Sequence, residues 1–251
     1  MKKTVMITGC SSGFGFETAK YLNSKGYKVI ACVRNKKHLS LHECSYLLDV
    51  EWEPTRLIEV VSKIIAQHGP IDCLINNAGF GLIGSITQLT QEQIYKQFSV
   101  NFFGVVELTK ALLPHFVSRK QGLIINVSSV LGLFSYPGYS MYSASKYALE
   151  SFSSSLSIEY SSKGLKVVTI NPGAFSTSFQ NNAIAVDLEK EKPNGPSPLV
   201  FAKLVENILQ NNNPRSRYII GNESLAVKVY LNSPEFIKDI FLKLYLKVTN
   251  G

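Results

Sequence analysis

Along most of the chain, short apolar runs alternate with longer stretches in which apolar residues recur every three to four positions. That is the pattern of buried strands joined by amphipathic helices. TVMIT at 4–8 reads as a first strand, YKVIACV at 27–33 as a second ending at Val33, and YLLDV at 46–50 as a third ending at Asp49. Further strands are expected in PIDCLINNAGFG, GLIINVSS, LKVVTI and RYIIG. Helical periodicity runs through Phe16, Ala19 and Leu22 to Gly26, and again over 54–69, 91–117, 143–160 and about 198–211. Residues 180–198, QNNAIAVDLEKEKPNGPSP, are polar, rich in Pro and Gly and without period, as expected of a mobile loop that covers a site. Beyond 222 a helical tail is expected, with Ile237, Ile240, Phe241, Leu244 and Val248 on one face and Lys238, Lys243 and Lys247 away from it.

With 251 residues, 45% of them hydrophobic, the chain can bury one sizeable core, so a single α/β domain over 1–251 is the expected organisation. MKKTVMITG runs directly into a strand without a cleavage signature, and no stretch reaches about 18 consecutive apolar residues, so a cytoplasmic protein without membrane contact is expected. The net charge of +8 is uneven, since residues 1–50 carry eight Lys or Arg against three acids. With no basic run interleaved with aromatics, a phosphorylated small molecule suits this charge better than nucleic acid. Cys10, Cys32, Cys44 and Cys73 lack metal-type spacing and read as reduced packing residues.

Chemistry concentrates at the junctions between elements. Gly9, Gly13 and Gly15 follow the first strand and open a helix, where glycine lets backbone approach a phosphate and the helix start favours its charge. Val33 stands at the second strand end, where a carboxylate would take the ribose hydroxyls of NAD, and Arg34 follows it, which suits the 2′-phosphate of NADP. Lys36 and Lys37 read as a solvated basic loop. Asp49 could accept from an adenine amine or cap a helix. Asn76, Asn77 and Gly79 end a central strand, in structural or cofactor-contacting roles, and Asn101 lies in mid-helix, where it needs partners and can hold a bend or a water. Thr177, after the turn at Asn171, Pro172 and Gly173, could bond a carboxamide or cap a helix.

Ser129, Tyr142 and Lys146 form the central constellation. Tyr142 and Lys146, four apart, share a helix face, so an ammonium can sit beside a phenol and lower its pKa from about 10. Ser129, at a strand end, can present its hydroxyl to a carbonyl oxygen that Tyr142 protonates. Spacing alone is weak, because Tyr21 and Lys25 repeat it on the first helix, where they read as structural.

Taken together, TGCSSGFG, the NNAG at 76–79, Asn101, Ser129 followed 13 residues later by Tyr142, YSASK, and NPG followed by Thr177 resemble the short-chain dehydrogenase/reductase family. Within it, GCSSGFG, ACVRN, NNAGFGLIG and RYIIG are similar to the branch of 17β-hydroxysteroid and retinol dehydrogenases. The resemblance implies a Rossmann-type doubly wound domain of about seven mainly parallel strands with helices on both faces. It implies Asn101, Ser129, Tyr142 and Lys146 as the catalytic set, with Asn101 anchoring a proton-relay water. It also implies NADP(H) held by Gly9, Ser11, Ser12, Gly13, Phe14 and Gly15, by Arg34, by Asp49 and Val50, by Asn77, Ala78 and Gly79, by Tyr142 and Lys146, and by Pro172, Gly173 and Thr177. Leu131, Phe134, Tyr136, Tyr139, Phe175 and Phe179 are apolar or aromatic, which suits a hydrophobic carbonyl or alcohol substrate. A homodimer or homotetramer is expected from the same resemblance. Two other readings are a 3-oxoacyl thioester reductase acting on acyl carrier protein, and a regulator that binds NADP(H) without turnover.

Overall fold

The computed structural model describes residues 2–187 and 195–238. The chain forms β1 (Thr4–Thr8), α1 (Gly13–Ser24), β2 (Lys28–Val33), β3 (Ser45–Leu47), α2 (Pro54–His68), β4 (Cys73–Asn76) and a short β5 (Leu82–Ile83). There follow α3 (Gln91–Phe98), α4 (Gly104–Ser118), β6 (Gly122–Val127), α5 (Ser140–Tyr160) and β7 (Leu165–Pro172). The described remainder holds α6 (Phe179–Asn182), β8 (Ile184–Ala185), α7 (Pro198–Gln210), β9 (Arg217–Ile220) and α8 (Ser224–Asn232).

Seven strands make one parallel sheet in the order β3-β2-β1-β4-β6-β7-β9. Strand order reverses between β1 and β4, the switch point at which a doubly wound sheet opens a crevice beyond its strand ends. Alternation within each strand feeds two cores. Val5 and Ile7 of β1, with Ile75, Ile125 and Ile170, pack on Ala19 and Leu22 of α1 and on Phe201, Val205 and Ile208 of α7. Met6, Leu74 and Ile124 face the other side, against Leu57, Val61 and Ile64 of α2 and Leu108, Leu112 and Phe116 of α4. Both faces are covered, so the central strands read as continuous apolar runs.

Three departures from the sequence reading have local causes. The third strand ends at Leu47 rather than Asp49, because its partner β2 ends at Val33, whose carbonyl accepts the last bond, from Leu48 N at 3.0 Å. The 91–117 helix is divided by a π-helical turn at Ser99–Phe103 with Asn101 inside it. This joined run of Gln91–Ser118 is long and apolar enough to span a bilayer, and Val100, Leu108, Leu112 and Phe116 pack one face of it into the core. The segment from 180 is not wholly irregular: α6 and β8 lie in it, and β8 pairs with β5 (Leu82 with Ile184, Ile83 with Ala185). Residues 188–194 of the expected loop lie outside the described residues, as do Ile240, Phe241, Lys243, Leu244, Lys247 and Val248 of the expected tail.

Candidate active site

A cavity of about 840 Å³ opens over the ends of β1, β2, β4, β6 and β7. One end is lined by Gly9, Ser11, Ser12, Gly13 and Phe14, by Arg34, by Asp49 and Val50, and by Asn77, Ala78 and Gly79. Gly9 has φ +71°, and a Cβ there would stand 2.9 Å from Ala78 Cα. A Cβ on Gly15, beneath the loop, would meet Gly9 O at 2.4 Å and Asn77 Nδ2 at 2.5 Å. The glycines therefore bring two backbone segments together under the start of α1, a shape suited to a phosphate-bearing ligand. Arg34 is exposed on this wall, whereas Lys36 and Lys37 stand in solvent and do not line the cavity.

Thr8, which the sequence reading passed over, ties the two segments together. It is 2% exposed, and its Oγ1 accepts from Asn77 N at 3.0 Å and Ala78 N at 2.9 Å, while Asn77 Nδ2 donates to Thr8 O at 2.8 Å. Nothing in the pattern TVMIT separates this threonine from any other strand residue. Asn76 takes the structural role, donating to Asn126 Oδ1 at 2.9 Å and Thr109 Oγ1 at 3.3 Å. Asp49 caps no helix: its Oδ1 accepts from Glu51 N at 3.2 Å, and the residue before α2 is Glu53.

Across the cavity, Ser129 ends the segment after β6, and Tyr142 and Lys146 leave the same face of α5. Tyr142 is 6% and Lys146 5% exposed. Ser129 Oγ accepts from Leu131 N at 3.1 Å and hydrogen-bonds the Tyr142 phenol. Burial pushes the phenol up to about 12, the bond to Ser129 opposes that rise, and Tyr139 adds to it. Lys146 Nζ lies 5.8 Å from the Tyr142 ring centre and donates to Val127 O at 2.9 Å. Burial lowers its pKa to about 8, against the opposing charge of Glu150. The expected depression of the phenol by Lys146 is therefore not what the structure shows: burial raises the phenol, and the group that opposes the rise is Ser129.

Asn101 is fully buried and lines no part of the cavity. Its Oδ1 accepts from Phe80 N at 3.1 Å and its Nδ2 donates to Phe80 O at 2.9 Å, so the π turn clamps the backbone beside Gly79. A Cβ on Gly79 would be 3.1 Å from Asn101 Oδ1 and 3.7 Å from Lys146 Nζ. Pro172, Gly173 and Thr177 line the cavity, and Thr177 Oγ1 also accepts from Phe179 N at 3.3 Å, so it combines a cavity position with a capping role.

The end beside Tyr142 is apolar. Leu131, Phe134, Tyr136, Tyr139, Phe175 and Phe179 all line it, and Tyr139, Tyr142, Ile83 and Ala183 form one buried cluster. The Phe179 ring lies 5.8 Å from that of Tyr142, and Asn182 Nδ2 reaches Ser12 Oγ at 3.4 Å, so the 179–184 segment covers both ends of the cavity. His38, Lys96 and Glu223 also line the cavity. They carry no motif; topology alone brings them there.

Other pairs are structural. Tyr21 donates to Glu206 Oε2 at 2.7 Å, with Lys25 over its ring at 5.4 Å, far from this cavity in function despite the repeated spacing. Cys10, Cys32 and Cys73 are buried free thiols whose pKa values burial raises.

Comparison with known proteins agrees with this geometry. The family model for short chain dehydrogenase matches residues 3–186. The chain is 32% identical over 262 residues to a 3-ketodihydrosphingosine reductase of Bacteroides thetaiotaomicron, covering 97% of this chain and 96% of the relative. Among solved structures, a short-chain dehydrogenase from Streptomyces avermitilis superposes with TM-score 0.82 at 28% identity, covering 100% of this chain and 98% of the other. The closed form of a serine dehydrogenase complexed with NADP+ superposes with TM-score 0.79 at 26% identity, covering 87% and 94%. On its matched motifs, its sheet order and the cavity those motifs line, the chain belongs to the short-chain dehydrogenase family, whose members are oxidoreductases.

Proposed function

We propose that this protein is an NADP(H)-dependent oxidoreductase that reduces a ketone or aldehyde of a hydrophobic small molecule, or oxidises the corresponding alcohol. The observation that carries this is one cavity shared by the glycine loop, by Ser129, Tyr142 and Lys146, and by an aromatic wall. The cradle fits a dinucleotide: the close approach at Gly9 and Gly15 leaves room for backbone only, and Arg34 stands where a 2′-phosphate calls for a cation. A structural neighbour solved with NADP+ and a relative named as a 3-ketodihydrosphingosine reductase support the reading.

When bound, the reduced nicotinamide would supply a hydride to the carbonyl carbon. Ser129 Oγ orients the carbonyl oxygen by a hydrogen bond. Tyr142, protonated at neutral pH, gives its phenolic proton to that oxygen as negative charge develops there. Lys146 would hold the nicotinamide ribose and bring positive charge to the pair, and Asn101 fixes the Gly79–Phe80 backbone behind it. Exposed Tyr95, Phe103 and Ile158 on α3, the π turn and α5 support assembly into a homo-oligomer.

The test is consumption of NADPH against a panel of hydrophobic ketones and aldehydes, with NADH and Tyr142→Phe in parallel. Turnover with NADPH that drops by about 10²–10⁴-fold in Tyr142→Phe, with NADPH binding retained, is expected. Tight NADPH binding without turnover across the panel would instead point to the regulator.

A further inference from the structure

Below the site, α5 carries a buried acid that the mechanism above leaves unused. Glu150 lies one helical turn beyond Lys146, and its side chain is only 8% exposed. Its Oε1 accepts from Asn171 Nδ2 at 2.6 Å, and its Oε2 accepts from Arg217 Nη2 at 2.8 Å, Arg217 Nε at 3.2 Å and Thr169 Oγ1 at 3.4 Å. Asn171 Nδ2 donates as well to the backbone carbonyl of Ser129 at 2.9 Å. One carboxylate thus reaches both ends of the candidate site: Ser129 through Asn171, and Lys146 through the helix they share.

We infer that Glu150 is a positioning residue of this oxidoreductase site, anchoring the Ser129 backbone through Asn171 and holding the Lys146 ammonium charged through its own negative charge, with Arg217 as the balancing cation. Among the described residues, few groups face Lys146. Tyr142 and Glu150 come from α5, Val127 O from β6 and Gly79 from the loop that Asn101 clamps, and Glu150 is the acid that opposes the loss of the Lys146 proton on burial. Arg217, on β9, faces Glu150. Glutamine cannot accept at both positions, since its NH2 would meet the Asn171 amide or the Arg217 guanidinium, so stability falls on either reading and the Lys146 titration is what separates a brace from a charge. The inference rests on the proposed reductase, but its test does not need turnover.

The experiment is an NMR titration of lysine side chains in the cofactor-free protein, with Lys146→Met assigning the resonance, for wild type, Glu150→Gln and Arg217→Gln. The wild-type midpoint is expected near 8. Glu150→Gln is expected to lower it by roughly one unit, and Arg217→Gln to raise it, since the carboxylate then loses its competing cation. If Glu150 only braces the fold, both variants lose stability while the midpoint stays put or moves the same way in both, and the proposal is overturned. Should Glu150→Gln fail to fold, the double variant Glu150→Gln with Arg217→Gln, which strands neither charge, is compared with Arg217→Gln: a lower midpoint in the double variant supports the proposal, and an equal or higher one ends it. In active enzyme the alkaline limb of reduction should move with the midpoint. An inactive wild type with a shifted Glu150→Gln midpoint would sink the reductase reading while leaving this electrostatic role standing.

Discussion

Replacing Thr8 with Val tests whether one strand-end hydroxyl holds the cofactor wall together. The substitution keeps the branched shape and strand propensity but removes the acceptor for Asn77 N and Ala78 N, at 3.0 and 2.9 Å. Each stranded N–H costs about 1–3 kcal/mol when fully buried. Asn77 and Ala78 are half-buried, so the lower end applies, about 2 kcal/mol for the two. The methyl that replaces the hydroxyl recovers at most about 0.8 kcal/mol. The net loss of about 1–2 kcal/mol corresponds to a Tm lower by roughly 3–6 °C in a domain of this size. Stability alone does not separate this from an ordinary core change, so amide hydrogen exchange is the deciding assay. In Thr8→Val the Asn77 and Ala78 amides should exchange about fivefold faster, as about 1 kcal/mol of local protection disappears from each. Thr8→Ser keeps the acceptor and should leave those two amides protected despite its lost methyl. If both remain as protected in Thr8→Val as in wild type, the hydroxyl is not what pins the 77–79 segment.

Arg34→Ala should weaken NADPH about tenfold, the low end for a charge-assisted hydrogen bond because Arg34 is exposed, and leave NADH nearly unchanged; equal losses in a binding titration would remove the 2′-phosphate assignment. Gly15→Ala, whose Cβ would stand 2.4 Å from Gly9 O, should destabilise the fold by about 1–3 kcal/mol and weaken NADPH, and an unperturbed Tm would show that the loop relaxes freely. Carbonyl reduction should decline as pH rises through about 8, where Lys146 loses its proton, while Tyr142 at about 12 still holds its own; a rate flat from pH 7 to roughly 10 would contradict that order of deprotonation.

How much of this was legible from residues alone depends on the range of the interaction. The glycine loop, the helix face shared by Tyr142 and Lys146, and the apolar strand runs are local, set by backbone geometry and by periods of two and 3.6, and each stands where the sequence puts it. The likeness of motifs carried the rest of the expected site, and of its 19 residues all but Gly15 and Asn101 line the cavity. What remained hidden was pairwise and long-range. Thr8 meets Asn77 across 69 residues, and Glu150 meets Arg217 across 67. No spacing rule reaches that far, because such contacts exist only once parallel strands choose their neighbours. Burial decided the rest. Sequence places an ammonium four residues from a phenol and predicts a depressed phenol pKa; the tertiary structure removes both from water, and burial is the largest influence on each, raising the phenol and lowering the ammonium. The sequence by itself determined which groups are present and which face of their helix they share. The fold decided how dry they are, and so which of them holds its proton.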